Sequence, residues 1–182
     1  MKATGIVRRI DDLGRIVVPK EIRRTLRVRE GDPMEIYTNH QGEIILKKYS
    51  PIGEIDSFAK QYAESLAQVS GYKIVISDRD QIIAVAGGAK KNLLGKDISQ
   101  ELEQLMSERD VLTTAGGVSK SIAVAEGEDA PKGGQVIYPI ICEGDIIGSV
   151  VIIAKEDGQE VTITEQKLAG VAATFLGRQM EA

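Results

Sequence analysis

GIVRRIDDLGRIVVPKEIRRTLRV, from Gly5 to Val28, sets six arginines against three acids in a chain whose net charge is -4. Its apolar residues come in β-branched runs, Ile6-Val7 and Ile16-Val17-Val18. TGIVRRI reads as one strand and RIVV as a second, with DDLG as the turn between them and Gly14 free to take a positive φ. Pro19 opens a short helix, PKEIRRTL, as proline does at a first helical position. RIVV is apolar on both faces and so needs cover on both sides, which a unit of about fifty residues has too little core to supply. An intertwined dimer supplies it, each chain lending strands to the other.

Outward from this stretch, REGDP reads as a turn, and MEIYT and EIILKKY as two strands joined by an NHQG hairpin. Charge then divides the chain. Residues 1–50 hold eleven Lys/Arg and seven Asp/Glu, and the remainder holds twelve and twenty, so a head of +4 precedes a body of -8. Such a head can meet a polyanion that the body repels. Cations at the end of a helix, as at Arg23, Arg24 and Arg27, also serve simply to offset the macrodipole. That account does not reach Arg8, Arg9 and Arg15, which lie on strands or beside a turn. Arginines on strands and at a helix end, doubled by a dimer axis, make a surface that neutralises phosphates and presents forks to guanine edges.

The run TGIVRRIDDLGRIVVPKEIRRTLRVREGDPMEIYTNHQGEIILKKY resembles the DNA-binding domain of the AbrB family of bacterial transition-state regulators, over roughly residues 3–49. The DDLGRIVVPKEIRRTL core and the closing IILKKY carry the likeness. The resemblance implies a swapped-hairpin dimer that binds double-stranded DNA through arginines. The matching positions are Arg8, Arg15, Arg23 and Arg24, and Arg9 stands where the family's pattern is basic. The remainder departs from the short members. With this head it resembles the members that regulate sporulation, whose second domain is GAF-like.

YSPIG reads as a linker. In GEIDSFAKQYAESLAQVSG, Ile52, Ile55, Phe58, Ala59, Tyr62, Ala63, Leu66 and Val69 recur at helical steps, and Gly71 caps the end. Strands follow at YKIVIS, QIIAVAG, KSIAVAE, QVIYPIIC and DIIGSVVIIA, with hairpin turns at SDRDQ and CEGD. The helix SQELEQLM, capped by Ser99, interrupts them. A final helix has Thr164 as its N-cap and Leu168, Val171, Ala172, Phe175 and Leu176 as its stripe. Short connections favour antiparallel pairing, hence an α+β fold.

Composition and motifs exclude much. The chain has 182 residues, 42% hydrophobic and 27% charged, with no Trp and 4% aromatics, so its core is aliphatic. One Cys and one His rule out an internal disulfide, a multi-cysteine metal site and a His-rich one. GGAKKNLLGK fails as a phosphate loop: six residues separate Gly88 from Gly95, and Asp97 follows Lys96 where Ser or Thr is required. Cys142, in an apolar strand, reads as packing rather than as a sensor thiol, and His40 as an idle turn residue. EGEDAPKGG reads as a mobile loop or a ligand lid. No catalytic constellation, cofactor or signal peptide is expected, and no apolar run is long enough to span a bilayer.

The expectation is a two-domain DNA-binding regulator of sporulation-type gene expression, activating or repressing its promoters, and not an enzyme. Residues 1–52 form the DNA-binding head. Residues 53–182 form a GAF-like sensory or multimerisation body, with 53–70 as the connecting helix. Arg8, Arg9, Arg15, Arg23 and Arg24 face DNA. The head makes a homodimer, helices 53–69 and 164–180 extend it to a homotetramer, and the body has room for an unidentified small molecule. The expected location is the cytoplasm, at the nucleoid. The alternative is an antitoxin-like interaction protein with the same head.

Overall fold

The computed structural model describes residues 4–49, 56–89, 91–117 and 119–181, in two compact units, Met1–Tyr49 and Ser50–Ala182. In the first unit, helix α1 spans Lys20–Thr25, and strands β1 (Met34–Thr38) and β2 (Ile44–Lys48) form an antiparallel hairpin. Pro19 sits at the N-cap, one position before the first helical place expected for it, which Lys20 takes. The helix stops at Arg27, whose φ of 50° is left-handed, a conformation that ends helices. In the NHQG turn, Asn39 Oδ1 accepts from the Gln41 and Glu43 backbone N–H groups, each at 3.0 Å. Asp32, with its side chain 1% exposed, accepts from the Arg29 backbone at 2.8 Å and pairs with Lys48 at 3.2 Å. Lys48 also donates to the Arg27 carbonyl at 2.9 Å, tying the end of the hairpin back to the end of the helix.

TGIVRRI and RIVV are not strands in the single chain: the described residues from Thr4 to Ile10 and from Arg15 to Pro19 carry no ladder. A strand exists by pairing, and one chain offers these segments no edge to pair with. The arms are joined at the turn, where the Asp11 N–H donates to the Arg15 carbonyl at 3.0 Å. Val7 is 90% exposed, and Leu13 and Val17 are each 71% exposed. No described residue of this unit is buried.

The second unit is built on a five-stranded antiparallel sheet. Its strands are β3 (Lys73–Asp78), β4 (Ile82–Ala86), β5 (Leu112–Thr113), β6 (Gln135–Cys142) and β7 (Asp145–Ile153), in the order β4-β3-β7-β6-β5. Strand alternation sorts two cores. Ile74, Ile76, Val136, Ile140, Val150 and Ile152 face helices α2 (Asp56–Ser70) and α4 (Ile163–Gln179). Val75, Ile137 and Val151 face the opposite way, under helix α3 (Gln100–Ser107). Ser99 caps α3 as expected, accepting from the Leu102 N–H at 3.0 Å. Glu143 and Gly144, with φ of 48° and 88°, form the tight turn between β6 and β7.

Three expectations are corrected in this unit. KSIAVAE is not a strand. Gln135, fully buried in β6, accepts from the Ile122 N–H at 2.9 Å and donates to the Ile122 carbonyl at 3.1 Å, taking the place of a ladder. The N-cap of α4 is Thr162, not Thr164, in a reciprocal capping box with Glu165, and the helix runs 163–179 rather than 164–180. Its buried side is Ala169, Ala172, Ala173 and Leu176, while Val171 is 64% exposed and Phe175 39%. Small residues let the helix lie close to the sheet, and the bulkier side turns outward. Along α2, Ala59, Ala63 and Leu66 are buried as expected and Val69 is exposed. The linker residues 50–53 and the expected helical positions Ile52 and Ile55 lie outside the described residues.

Candidate nucleic-acid interface

The five arginines expected at the DNA surface fall on two local frames of the head. Arg8 and Arg9 precede the DDLG turn and Arg15 follows it, and all three are exposed. Arg23 and Arg24 occupy the last turn of α1, where cations also offset the helix dipole. Arg24 is exposed, while Arg23 is half-buried and its Nε has no hydrogen-bond partner. The single chain does not join the two groups by any hydrogen bond or ion pair among the described residues.

Asp11 builds the turn that carries Arg15. One carboxylate oxygen, Oδ1, accepts from the backbone N–H groups of Leu13 at 3.0 Å and Arg15 at 2.8 Å. The other, Oδ2, accepts from Arg15 Nε at 2.7 Å. The Arg15 backbone and then its guanidinium hold the Asp11 carboxyl below the ordinary range. DDLG marks Asp11 only as a turn former, and the Asp-to-Arg spacing of four permits the ion pair without requiring it.

In the body, GGAKKNLLGK leaves β4 and enters a short 3₁₀ turn at Lys91–Leu93, not the long helix N-terminus that holds phosphate in a P-loop. Lys90 lies outside the described residues. A Cβ on Gly87 would stand 2.1 Å from the Tyr72 carbonyl oxygen, so this glycine serves close packing. A shallow groove of about 450 Å³ opens beside it, lined in part by Glu64, Gln68, Val85, Lys91 and Lys155. The EGEDAPKGG loop is latched by an ion pair of 2.6 Å between Glu128 and Lys96, both substantially covered. Cys142 is half-buried, and burial followed by Glu143, Glu181 and Asp145 pushes its thiol up, away from the thiolate that a sensor needs. His40 is exposed.

The body shares its fold with the second GAF domain of DevS from Mycobacterium smegmatis: 11% identity, TM-score 0.54, covering 69% of this chain and 92% of that one. The class of protein, a DNA-binding transcription regulator, follows from the families that the chain matches. Residues 54–181 match the family described as stage V sporulation protein T C-terminal, transcription factor. The chain is 51% identical over 181 residues to stage V sporulation protein T of Bacillus subtilis (strain 168), covering 100% of this chain and 99% of that protein. It belongs to that family. The chain is also similar to the transition state regulatory protein AbrB of the same organism, 41% identical over 95 residues, or 51% of this chain and 97% of AbrB. Residues 7–54 match the antidote-toxin recognition family MazE, bacterial antitoxin.

Proposed function

We propose that the chain binds double-stranded DNA as an intertwined homodimer of its head, residues 1–52, through Arg8, Arg9, Arg15, Arg23 and Arg24. The observation that carries this reading is the uncovered head: none of its described residues is buried, and Ile6, Val7, Ile10, Leu13, Ile16 and Val17 are all exposed. Monomeric proteins rarely leave so contiguous an apolar set in water, and a second copy pairing with the unladdered arms would bury it. Residues 53–182 act as a sensory or multimerisation body, with 53–70 as the connecting helix.

Helices α2 and α4 join dimers into a tetramer. Supporting this, the rings of Phe58, Tyr62 and Phe175 cluster across the two helices at 5.4–6.4 Å, and Val171 and Phe175 remain in part open to solvent. The protein activates or represses its promoters and is not an enzyme, in keeping with relatives that are transcription factors. It works in the cytoplasm, at the nucleoid. Among the described residues no helix is long and apolar enough to cross a membrane. An unidentified small molecule is the ligand the body would sense.

The test is a binding titration of the full chain on a DNA duplex from low to high salt. If Arg8, Arg15, Arg23 and Arg24 of both chains all meet phosphates, the slope of log K against log salt is about -7, and an arginine that meets a base instead makes it shallower. A slope near zero rejects a phosphate-driven interface. The match to the antitoxin family favours one second reading, a head that serves a toxin-binding tail. Limited proteolysis separates the two: a resistant body supports the regulator, and complete digestion of residues 53–182 supports the tail.

A further inference from the structure

Arginine is a flexible side chain, and a flexible fork reads bases poorly because ordering it on the DNA costs rotamer freedom. Of the five arginines assigned to DNA, Arg15 is the one whose guanidinium is tied to an acid among the described residues. The tie is at Nε, 2.7 Å from Asp11 Oδ2, and the Arg15 side chain is still 68% exposed. Both Nη nitrogens are without a protein partner among the described residues. The same carboxylate is fixed by two backbone N–H groups through Oδ1, so the anchor is as rigid as the turn itself. Gly14, at φ 76°, lets the chain reverse tightly enough for residues 11 and 15 to meet.

We propose that Asp11 is a positioning residue for sequence readout: it clamps Arg15 by the Nε edge and holds the Nη1/Nη2 end out as a preformed fork for a guanine edge. The inference rests on the reading that Arg15 faces DNA. An end-on fork of two N–H donors matches the O6 and N7 acceptors of guanine in the major groove. A carboxylate beside a phosphate is repulsive, so Asp11 hinders non-specific binding while it favours the base contact. The arginine that carries an acid is therefore suited to reading a base. Arg8, Arg9 and Arg24, exposed and without an acid partner among the described residues, are suited to phosphates.

The experiment compares full-length wild type with Asp11→Asn. Asparagine Oδ1 keeps the two backbone hydrogen bonds of the turn, and its Nδ2 then faces Arg15 Nε donor to donor, so the turn is kept and the clamp is lost. Two duplexes are used: one selected from a random-sequence pool by the wild type, and one with the same composition scrambled. The expected result is a fall in the ratio of selected to scrambled affinity of roughly two- to twelvefold per half-site, the size of ordering one long side chain. Binding to the scrambled duplex is retained or tightened. An unchanged ratio, or an equal loss on both duplexes, overturns the proposal. If Asp11→Asn does not fold, Asp11→Ser is the second variant, since a serine hydroxyl supports the turn without reaching the guanidinium. Arg15→Ala separates this inference from the one beneath it: if that variant binds both duplexes as the wild type does, Arg15 does not face DNA at all.

Discussion

At the scale of single residues, the body depends on one buried amide. Gln135 stands in an otherwise apolar run, QVIYPIIC, and is 0% exposed. Burying it without partners would be costly, yet its side chain both accepts from and donates to Ile122, and its own N–H donates to Thr114 Oγ1 at 2.9 Å. Gln135→Leu keeps most of the volume but leaves the Ile122 N–H and carbonyl without those bonds. Unfolding in urea should show a loss of about 1–3 kcal/mol. Faster hydrogen exchange at Ile122 should accompany it, and an Ile122 amide that keeps its protection would contradict this role. The polar residue itself was legible in the sequence, but not its partner. Ile122 lies 13 positions upstream, and nothing in the alternation of SIAVA distinguishes a ladder partner on a neighbouring strand from an amide side chain. Asp11 was hidden in the same way. A turn-forming aspartate and one that clamps an arginine have the same letter, and only the geometry of Oδ2 separates them.

Among the elements, α4 shows two effects in opposition. Gly177 lies in the last turn before the C-cap, where alanine would favour the helix by about 0.8–1.0 kcal/mol on propensity. A Cβ there would stand 2.2 Å from the Ile141 carbonyl oxygen, a backbone atom that cannot swing aside. The clash should win, because relieving it means lifting the helix end from β6 and opening the packing of Leu176 and Ala173, with a cost of about 1–3 kcal/mol for overpacking. Gly177→Ala is therefore expected to destabilise the body in thermal unfolding, and a higher melting temperature would show that the helix does not approach so closely. The element itself was legible from its period. Its orientation was not, since Leu168, Val171, Ala172, Phe175 and Leu176 cover an arc wide enough to face two ways. The sheet takes Ala172 and Leu176 from that arc and adds Ala169 and Ala173 beside them, because close packing rewards the shortest separation. In the head, the β-branched runs of the arms flanking DDLG predict strands. Such runs state a readiness to pair, and in the single chain those arms carry no ladder.

At the scale of the whole molecule, a head of +4 and a body of -8 share one chain. The two charges cannot both favour DNA, so the body must contribute something other than affinity for phosphate. One contribution would be mechanical: if the body joins dimers, it raises the effective concentration of the second head once the first has bound, with no change in either site. The other is regulatory. If α2 of one chain packs against α2 of another, the packing sets the spacing between arginine surfaces. A signal that shifts it then alters affinity by about 1–3 kcal/mol, or 5- to 150-fold, without touching an arginine. The GAF-like fold permits either role, and fold does not decide function. A chimera decides it: residues 53–182 are replaced by an unrelated parallel coiled coil of matched length and oligomeric state. We expect the chimera to bind DNA with a salt slope like that of the native chain, because the arginines are retained. We also expect its occupancy of promoters to stop responding to growth conditions, because the helix packing that a signal would shift is gone. A chimera that binds and regulates as the native protein does under every condition would make the body a clamp and nothing more.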